Sequence, residues 1–209
     1  MSHGAWAVTM VAAVTVVAGC STEVAGTLSL REGRGAQDLP GTFLLESAEQ
    51  GGIWTRYSFV GVRSAAMLTE AGGRGRWLGM APVGLSAEGD PTAMLAEVLQ
   101  VLHTARLPGL PPLTGGLVGM ISYDAVRRWE RVPDNNPDVL GLPELAMFLA
   151  TDLAVLDHRD GSVLLVANAI NYDDRPSGVE AAYTDAVARL DRMTADLEAG
   201  REPMLVACD

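Results

Sequence analysis

Short apolar runs separated by polar turns make up most of this chain, and the first two runs set the pattern. Residues 43–45 are Phe-Leu-Leu, and residues 54–60 form a second run that is rich in aromatic and β-branched residues. Strands favour such residues, and the Gln-Gly-Gly sequence at 50–52 between the runs is typical of a turn. The pattern therefore predicts a β-hairpin over residues 42–60.

Further apolar runs predict the rest of a sheet. The two longest runs are joined by His-Arg-Asp-Gly at 158–161, which carries the glycine of a hairpin turn. Neither run alternates between apolar and polar residues, so we expect both faces of these strands to be covered. The strands predicted after the first hairpin are 65–68, 76–80, 115–124, 145–156 and 162–170.

Two amphipathic helices are expected against this sheet. Residues 91–105 have apolar residues at helical spacing, after Asp90 as the N-cap and a proline in the first turn. Residues 178–199 keep the same spacing, and Ser177 followed by Glu180 has the form of a capping box. The pattern as a whole predicts an α+β fold, in which a twisted, mainly antiparallel sheet carries packed helices.

One domain is expected to cover residues 40–200, followed by a truncated tail at 201–209. Within the domain, Asp124 is placed to cap a short helix at 126–131. Residues 1–39 form an atypical N-terminal segment that stands outside this domain.

The apolar stretch 5–19 in that segment allows two interpretations. It ends in Val-Ala-Gly-Cys, which resembles a lipoprotein signal with Cys20 as the acylated residue. The usual Lys/Arg region before the apolar stretch is missing, and the same residues have the composition of a buried strand. A wrongly assigned start codon is a third explanation. We expect Cys20 to be unmodified and the protein to be cytoplasmic.

Composition excludes several classes of function. The net charge is −11, which argues against nucleic acid or an anionic membrane surface as partner. All 15 basic residues are arginine, so no mechanism that needs a lysine is available. The two cysteines, Cys20 and Cys208, are too few and too near the ends to indicate a disulfide framework or a metal site. No spacing of Asp, Glu and His suits a divalent cation, and no catalytic triad order is present.

Polar residues embedded in the first hairpin form the candidate site. If its strands pair, the side chains of two segments converge, with Glu46 facing a ligand's ammonium and Arg56 its carboxylate. An apolar wall from residues such as Phe43 would complete a pocket for a zwitterion. The alternative is an Arg–Glu pair at a strand end, with hydroxyl groups bonded to local backbone. The candidate residues are Glu46, Ser47, Arg56, Tyr57 and Ser58, and Tyr57 is a second candidate for the apolar wall.

Several motifs in this order resemble one known family. They are LLESAE at 44–49, RYSFVG at 56–61, LPGLPPLTGGLVGMISYDAVRRWERVP at 107–133, LATDLAVLDH at 149–158 and LVANAINYD at 165–173. Together they resemble the N-terminal domain of anthranilate synthase component I, over roughly residues 40–198. The resemblance implies the N-terminal part of that family's αββα sandwich. In the family, the LLES segment lines the pocket where tryptophan binds as feedback inhibitor. The resemblance thus implies inhibitor contacts from Glu46 and Ser47, and from Arg56, Tyr57 and Ser58 on the facing strand.

The same resemblance sets expectations about catalysis and partners. The family binds chorismate in a C-terminal half, with Mg²⁺ held by glutamates, adds ammonia and eliminates pyruvate. The chain ends where that half would begin, so we expect no catalysis by this chain alone and no cofactor in it. The expected partners are tryptophan, a separate chorismate-binding chain and a glutamine amidotransferase subunit, but neither nucleic acid nor membrane. The alternatives are an aminodeoxychorismate synthase-like enzyme and a non-functional fragment.

Overall fold

Two long strands paired antiparallel form the centre of the fold in the computed structural model, which describes residues 7–12, 41–46, 56–105 and 107–199. The helices are α1 (Pro91–Val101), a 3₁₀ helix (Tyr123–Arg128) and α2 (Gly178–Glu198). The strands are β1 (Ala7–Ala12), β2 (Phe43–Leu45), β3 (Tyr57–Ala71), β4 (Arg74–Gly79), β5 (Glu88–Gly89), β6 (Gly116–Ile121), β7 (Leu145–Asp157) and β8 (Ser162–Ile170).

The central pair, β3 with β7, has different neighbours at its two ends. Strand β2 pairs with β3 near its beginning, and β4 pairs with β3 near its end. In the same way, β6 and β8 pair with opposite ends of β7. The outer strands β1 and β5 extend the sheet on β8 and β4. The β3–β7 register shifts between Gly61 and Ala66, where bulges bend the sheet.

Both faces of the sheet are covered, as the lack of alternation predicts. On one face, Ala186, Leu190 and Met193 of α2 pack against one leucine and three alanines of β7 and β8, namely Leu165, Ala154, Ala167 and Ala169. On the other face, Leu153, Val155 and Val166 are almost fully buried, with Phe43 and Phe59 packed against them. The central strands of the sheet are therefore buried on both faces.

A buried ion pair joins α2 to the central strand. Arg189 is 6% exposed and donates to the carboxylate of Asp152, which is 2% exposed. Arg189 also donates to Asp185 and to the carbonyl oxygen of Asn168, each at 2.8 Å. Burial raises the pKa of Asp152 to about 6, although Arg189 and Arg63 oppose that rise. Desolvation of the pair thus limits what it contributes to stability.

The predicted strands are confirmed as parts of one sheet, with one change of boundary and one additional strand from the N-terminal segment. The first hairpin pairs as predicted, and the strands at 115–124, 145–156 and 162–170 all belong to the same sheet. The strand predicted at 65–68 is not separate, because β3 runs on without a break to Ala71. The N-terminal segment also contributes, since β1 pairs antiparallel with β8. That agrees with the strand interpretation of these six residues, whereas Cys20 lies outside the described part.

Of the three predicted helix N-caps, the structure confirms one, Asp90. Asp90 caps α1 as expected and accepts from the backbone N–H of Thr92 and Ala93 at 3.0 and 2.9 Å. The capping box at Ser177 is wrong, because this residue has helical φ and ψ and its side chain makes no capping hydrogen bond. Asp124 is not a cap either, since it lies inside the 3₁₀ helix.

Among the described helices, none is both long and apolar enough to cross a membrane.

Candidate functional site

The pairing of β2 with β3 brings two of the predicted site residues together. Leu45 lies opposite Phe59, so the next step along both chains places Glu46 opposite Ser58. The Ser58 hydroxyl donates to Glu46 Oε1 at 3.3 Å. Ser58 is only 6% exposed, whereas Glu46 is exposed. The pair therefore offers a carboxylate that solvent can reach, held by a hydroxyl that solvent cannot.

A third residue, His158, joins this pair from the turn after β7. Its Nε2 lies 2.7 Å from Ser58 Oγ, and its backbone N–H donates to the carbonyl oxygen of Arg56 at 2.8 Å. A serine hydroxyl has a single hydrogen, so when Ser58 donates to Glu46, the Nε2 of His158 must carry a hydrogen and donate to Ser58. Sequence reasoning missed this residue, although it ends the LATDLAVLDH motif.

Arg56 is directed to another carboxylate. Its Nε lies 3.0 Å from both carboxylate oxygens of Asp157, and its Nη2 lies 2.6 Å from Oδ2. The hydrogen bond from Arg56 lowers the pKa of Asp157. The guanidinium also stacks over the Tyr57 ring at 4.8 Å from its centroid. The acid that pairs with Arg56 is thus Asp157, and not Glu46.

The faces of the hairpin separate the aromatic residues from the polar pair. Successive side chains of a strand point to opposite faces, so Tyr57 and Phe59 lie on the face opposite Ser58. Their ring centroids are 6.0 Å apart, and both rings pack in the cluster that contains Phe43. The apolar wall expected from Phe43 and Tyr57 therefore lies on the wrong face.

Apolar side chains of a different kind accompany the polar pair. Leu44 and Val60 lie directly opposite each other, on the face that carries Glu46 and Ser58. Leu44 is 58% exposed, whereas Val60 packs against the α2 side of the core. Of the five predicted residues, the structure brings Glu46 and Ser58 together and places Arg56 and Tyr57 elsewhere. Ser47 lies outside the described residues.

A glycine fixes the position of β2. Gly61 lies opposite Phe43, whose ring covers it so closely that a Cβ added at Gly61 would be 2.2 Å from Phe43 Cε1. Aromatic side chains that cover a cross-strand glycine are a known way to stabilise such a pair. The close approach of Phe43 to Gly61 thus holds the three-residue strand that positions Glu46.

Two cavities lie away from the polar pair, and neither is lined by the four predicted residues that the structure describes, Glu46, Arg56, Tyr57 and Ser58. One, of about 330 Å³, is bordered by Arg63, Asn171 and Arg189 near the start of α2. The other, of about 350 Å³, is lined mainly by apolar residues such as Leu102 and Leu117. In the described part of the chain, no group of three His, Cys, Asp or Glu residues is placed to hold a metal ion.

Several known proteins that are similar to this chain share one name and match about three quarters of it. Anthranilate synthase component 1 from Arthrobacter globiformis is 49% identical over 160 residues, which cover 77% of this chain and 30% of that protein. The protein of the same name from Mycolicibacterium smegmatis is 50% identical over 159 residues, or 76% of this chain and 30% of that protein. The chain thus spans about 30% of the length of these curated relatives.

More distant matches carry the same name. A probable anthranilate synthase component 1 from Schizosaccharomyces pombe is 33% identical over 164 residues, covering 78% of this chain and 30% of that protein. A crystal structure of anthranilate synthase component I from Streptococcus pneumoniae TIGR4 matches with a TM-score of 0.48 and 19% identity. That match covers 71% of this chain and 32% of that one. No protein-family model matches the chain.

Proposed function

Because this chain belongs to the anthranilate synthase component I family over the three quarters that its relatives match, we propose that it binds tryptophan as a regulatory ligand. The site is the polar pair at the β2–β3 pairing, with the inhibitor's ammonium on Glu46. The protein would then serve tryptophan biosynthesis as the part that senses the end product.

The contact between Glu46 and Ser58 is the observation that carries this proposal. Ser58 holds the Glu46 carboxylate from a buried position, so the carboxylate is oriented before a ligand arrives. An ammonium ion is the natural partner of an exposed, oriented carboxylate. The neighbouring Leu44 is apolar and 58% exposed, so an aromatic ring beside the ammonium would cover it.

The expected affinity for tryptophan can be estimated from two charge-assisted hydrogen bonds and the burial of the indole ring. A charge-assisted hydrogen bond contributes about 1.5–3 kcal/mol. Two such bonds and the burial of an indole ring give a binding free energy of about −8 kcal/mol, after the cost of association. That corresponds to a dissociation constant of about 1 μM.

We expect catalysis to need more than the residues of this chain. The relatives are named for the whole enzyme, of which this chain spans about 30%. We propose that conversion of chorismate needs a Mg²⁺-dependent, chorismate-binding part in addition to these residues, together with a glutamine amidotransferase subunit. We further propose that the protein acts in the cytoplasm, with Cys20 not acylated.

Titration calorimetry with L-tryptophan tests the binding site. The unchanged chain should bind with micromolar affinity, and Glu46→Gln should weaken binding about tenfold or more, because the amide cannot neutralise an ammonium. Glu198→Gln, an exposed change near the end of α2, is the matched control and should bind as the unchanged chain does. Absence of heat up to millimolar tryptophan would contradict the proposal. Equal binding by Glu46→Gln would show that the ammonium is held elsewhere.

A further inference from the structure

The hydrogen bonds of Ser58 indicate which protein group could bind the carboxylate of the amino-acid ligand. The ammonium of an α-amino acid is one carbon away from its carboxylate, so both groups must find partners within a small region. Glu46 and His158 both contact Ser58 Oγ, at 3.3 and 2.7 Å. Because both atoms are hydrogen-bonded to Ser58 Oγ, the distance between Glu46 Oε1 and His158 Nε2 cannot exceed the sum of the two bond lengths, about 6 Å. The ligand-binding nitrogen of His158 would be Nδ1, one ring atom beyond Nε2, so it and the Glu46 carboxylate are no more than about 8 Å apart. The ammonium and carboxylate of one amino acid can bridge that separation with two hydrogen bonds.

Arg56, the guanidinium that the sequence suggests for this role, is already engaged. Three of its donor contacts, between 2.6 and 3.0 Å, go to Asp157, and its plane stacks on Tyr57. A ligand carboxylate would have to compete with Asp157 for the same nitrogen atoms. His158 is exposed, and its Nδ1 makes no hydrogen bond to a described residue.

We propose that His158, and not Arg56, binds the carboxylate of the amino acid whose ammonium rests on Glu46. This assignment rests on the proposed function, because it names a further residue of the same site. His158 donates from Nε2 to Ser58 and from Nδ1 to the ligand. An imidazole that donates from both nitrogens is the imidazolium ion, so the bound state contains protonated His158.

This arrangement links binding to a proton. An imidazolium holds one proton more than a neutral imidazole, so the site takes up a proton when the ligand carboxylate binds to a neutral His158. The other charged groups around His158 are Glu46 after β2, Arg56 before β3, and Asp157, Arg159 and Asp160 in the turn after β7. Aspartate, glutamate and arginine side chains ordinarily keep their charge between pH 6 and 8. Affinity should therefore rise as the pH falls from 8 to 6.

Calorimetry of tryptophan binding in two buffers with different ionisation enthalpies tests the assignment, because the difference in heat counts the protons taken up. The unchanged chain should take up protons on binding and bind more tightly at pH 6 than at pH 8. His158→Gln keeps a donor for Ser58 but cannot ionise, so it should bind about tenfold or more weakly at pH 6 and take up no proton. Arg159→Gln removes a charge from the same turn and should retain the proton uptake.

Tryptophan amide, which lacks the carboxylate, separates the two candidate cations. The unchanged chain and Arg56→Gln should both prefer tryptophan over the amide, and His158→Gln should lose that preference. Loss of the preference in Arg56→Gln with its retention in His158→Gln would overturn the assignment. Binding of tryptophan without proton uptake would overturn it as well and would leave the proposed function intact. Failure of the unchanged chain to bind tryptophan at any pH would instead reject the proposed function.

Discussion

Substitution of Gly61 by alanine should release β2, and with it the Glu46 carboxylate. The added Cβ would lie 2.2 to 2.6 Å from three ring atoms of Phe43, so the ring must leave its position over residue 61. Forcing extra atoms into a packed contact costs about 1–3 kcal/mol. The cost in unfolding free energy is limited by the free energy with which the three residues of β2 are held, because local release relieves the clash. Tryptophan binding should weaken about tenfold or more, since Glu46 follows β2 directly.

A double-mutant cycle in urea, followed by circular dichroism, makes this argument quantitative. Phe43→Ala alone should cost about 1–2 kcal/mol, because the side chain is half-buried. With alanine at 43, the Cβ at 61 has no ring to meet, so the double variant should cost no more than Phe43→Ala alone. Gly41→Ala is the matched control, because its Cβ would meet Phe148 at an ordinary 3.8 Å. A cost of the double variant equal to the sum of the two single costs would contradict this prediction, since residues in contact should couple.

Three further predictions follow from other parts of the structure. Arg189→Met leaves Asp152 buried without its partner and should cost about 3 kcal/mol or more in urea unfolding, whereas the pair Arg189→Met with Asp152→Leu should cost less than the single change. Because the folded-state pKa of Asp157 is lowered by Arg56, the stabilisation from this pair is present above about pH 4 and is lost as the pH falls through the lowered value. Arg56→Gln should therefore lower the unfolding free energy slightly at pH 7 and by less at pH 2, measured by urea unfolding at both pH values. The effect is small because Arg56 is exposed. Finally, the purified chain should yield no fluorescent anthranilate from chorismate, ammonia and Mg²⁺, and product that survives repurification would contradict this.

Local signals in the sequence were sufficient for most of the sheet. Turn residues and apolar runs marked the hairpins at 42–60 and 145–170, and both signals act within a few residues. Ser177 shows the limit of such signals: the backbone N–H of Gly178 donates to the carbonyl of Arg175, so the chain already turns before the predicted cap. The serine of the capping box is consequently helical and its side chain is not used.

The candidate site was harder to predict for a different reason. Glu46 and Ser58 are 12 residues apart and meet through a hairpin, which the sequence indicates. His158 is 100 residues from Ser58 and meets it only because β3 and β7 pair in one particular register. A single sequence carries no signal for that register. The face of Tyr57, by contrast, could have been deduced, because consecutive residues of a strand cannot point to the same side.

The central position of the β3–β7 pair has a consequence for how the chain folds. Strand β3 pairs with β7, which follows it by almost a hundred residues, and β4, α1 and β6 lie between the two strands in the sequence. Contacts so distant in sequence form slowly, because a long loop must close before they can stabilise anything. On the ribosome, β3 emerges well before β7 and presents an unpaired, apolar edge in the meantime. Synthesis of this protein should therefore depend on chaperones that hold β3 until β7 has emerged.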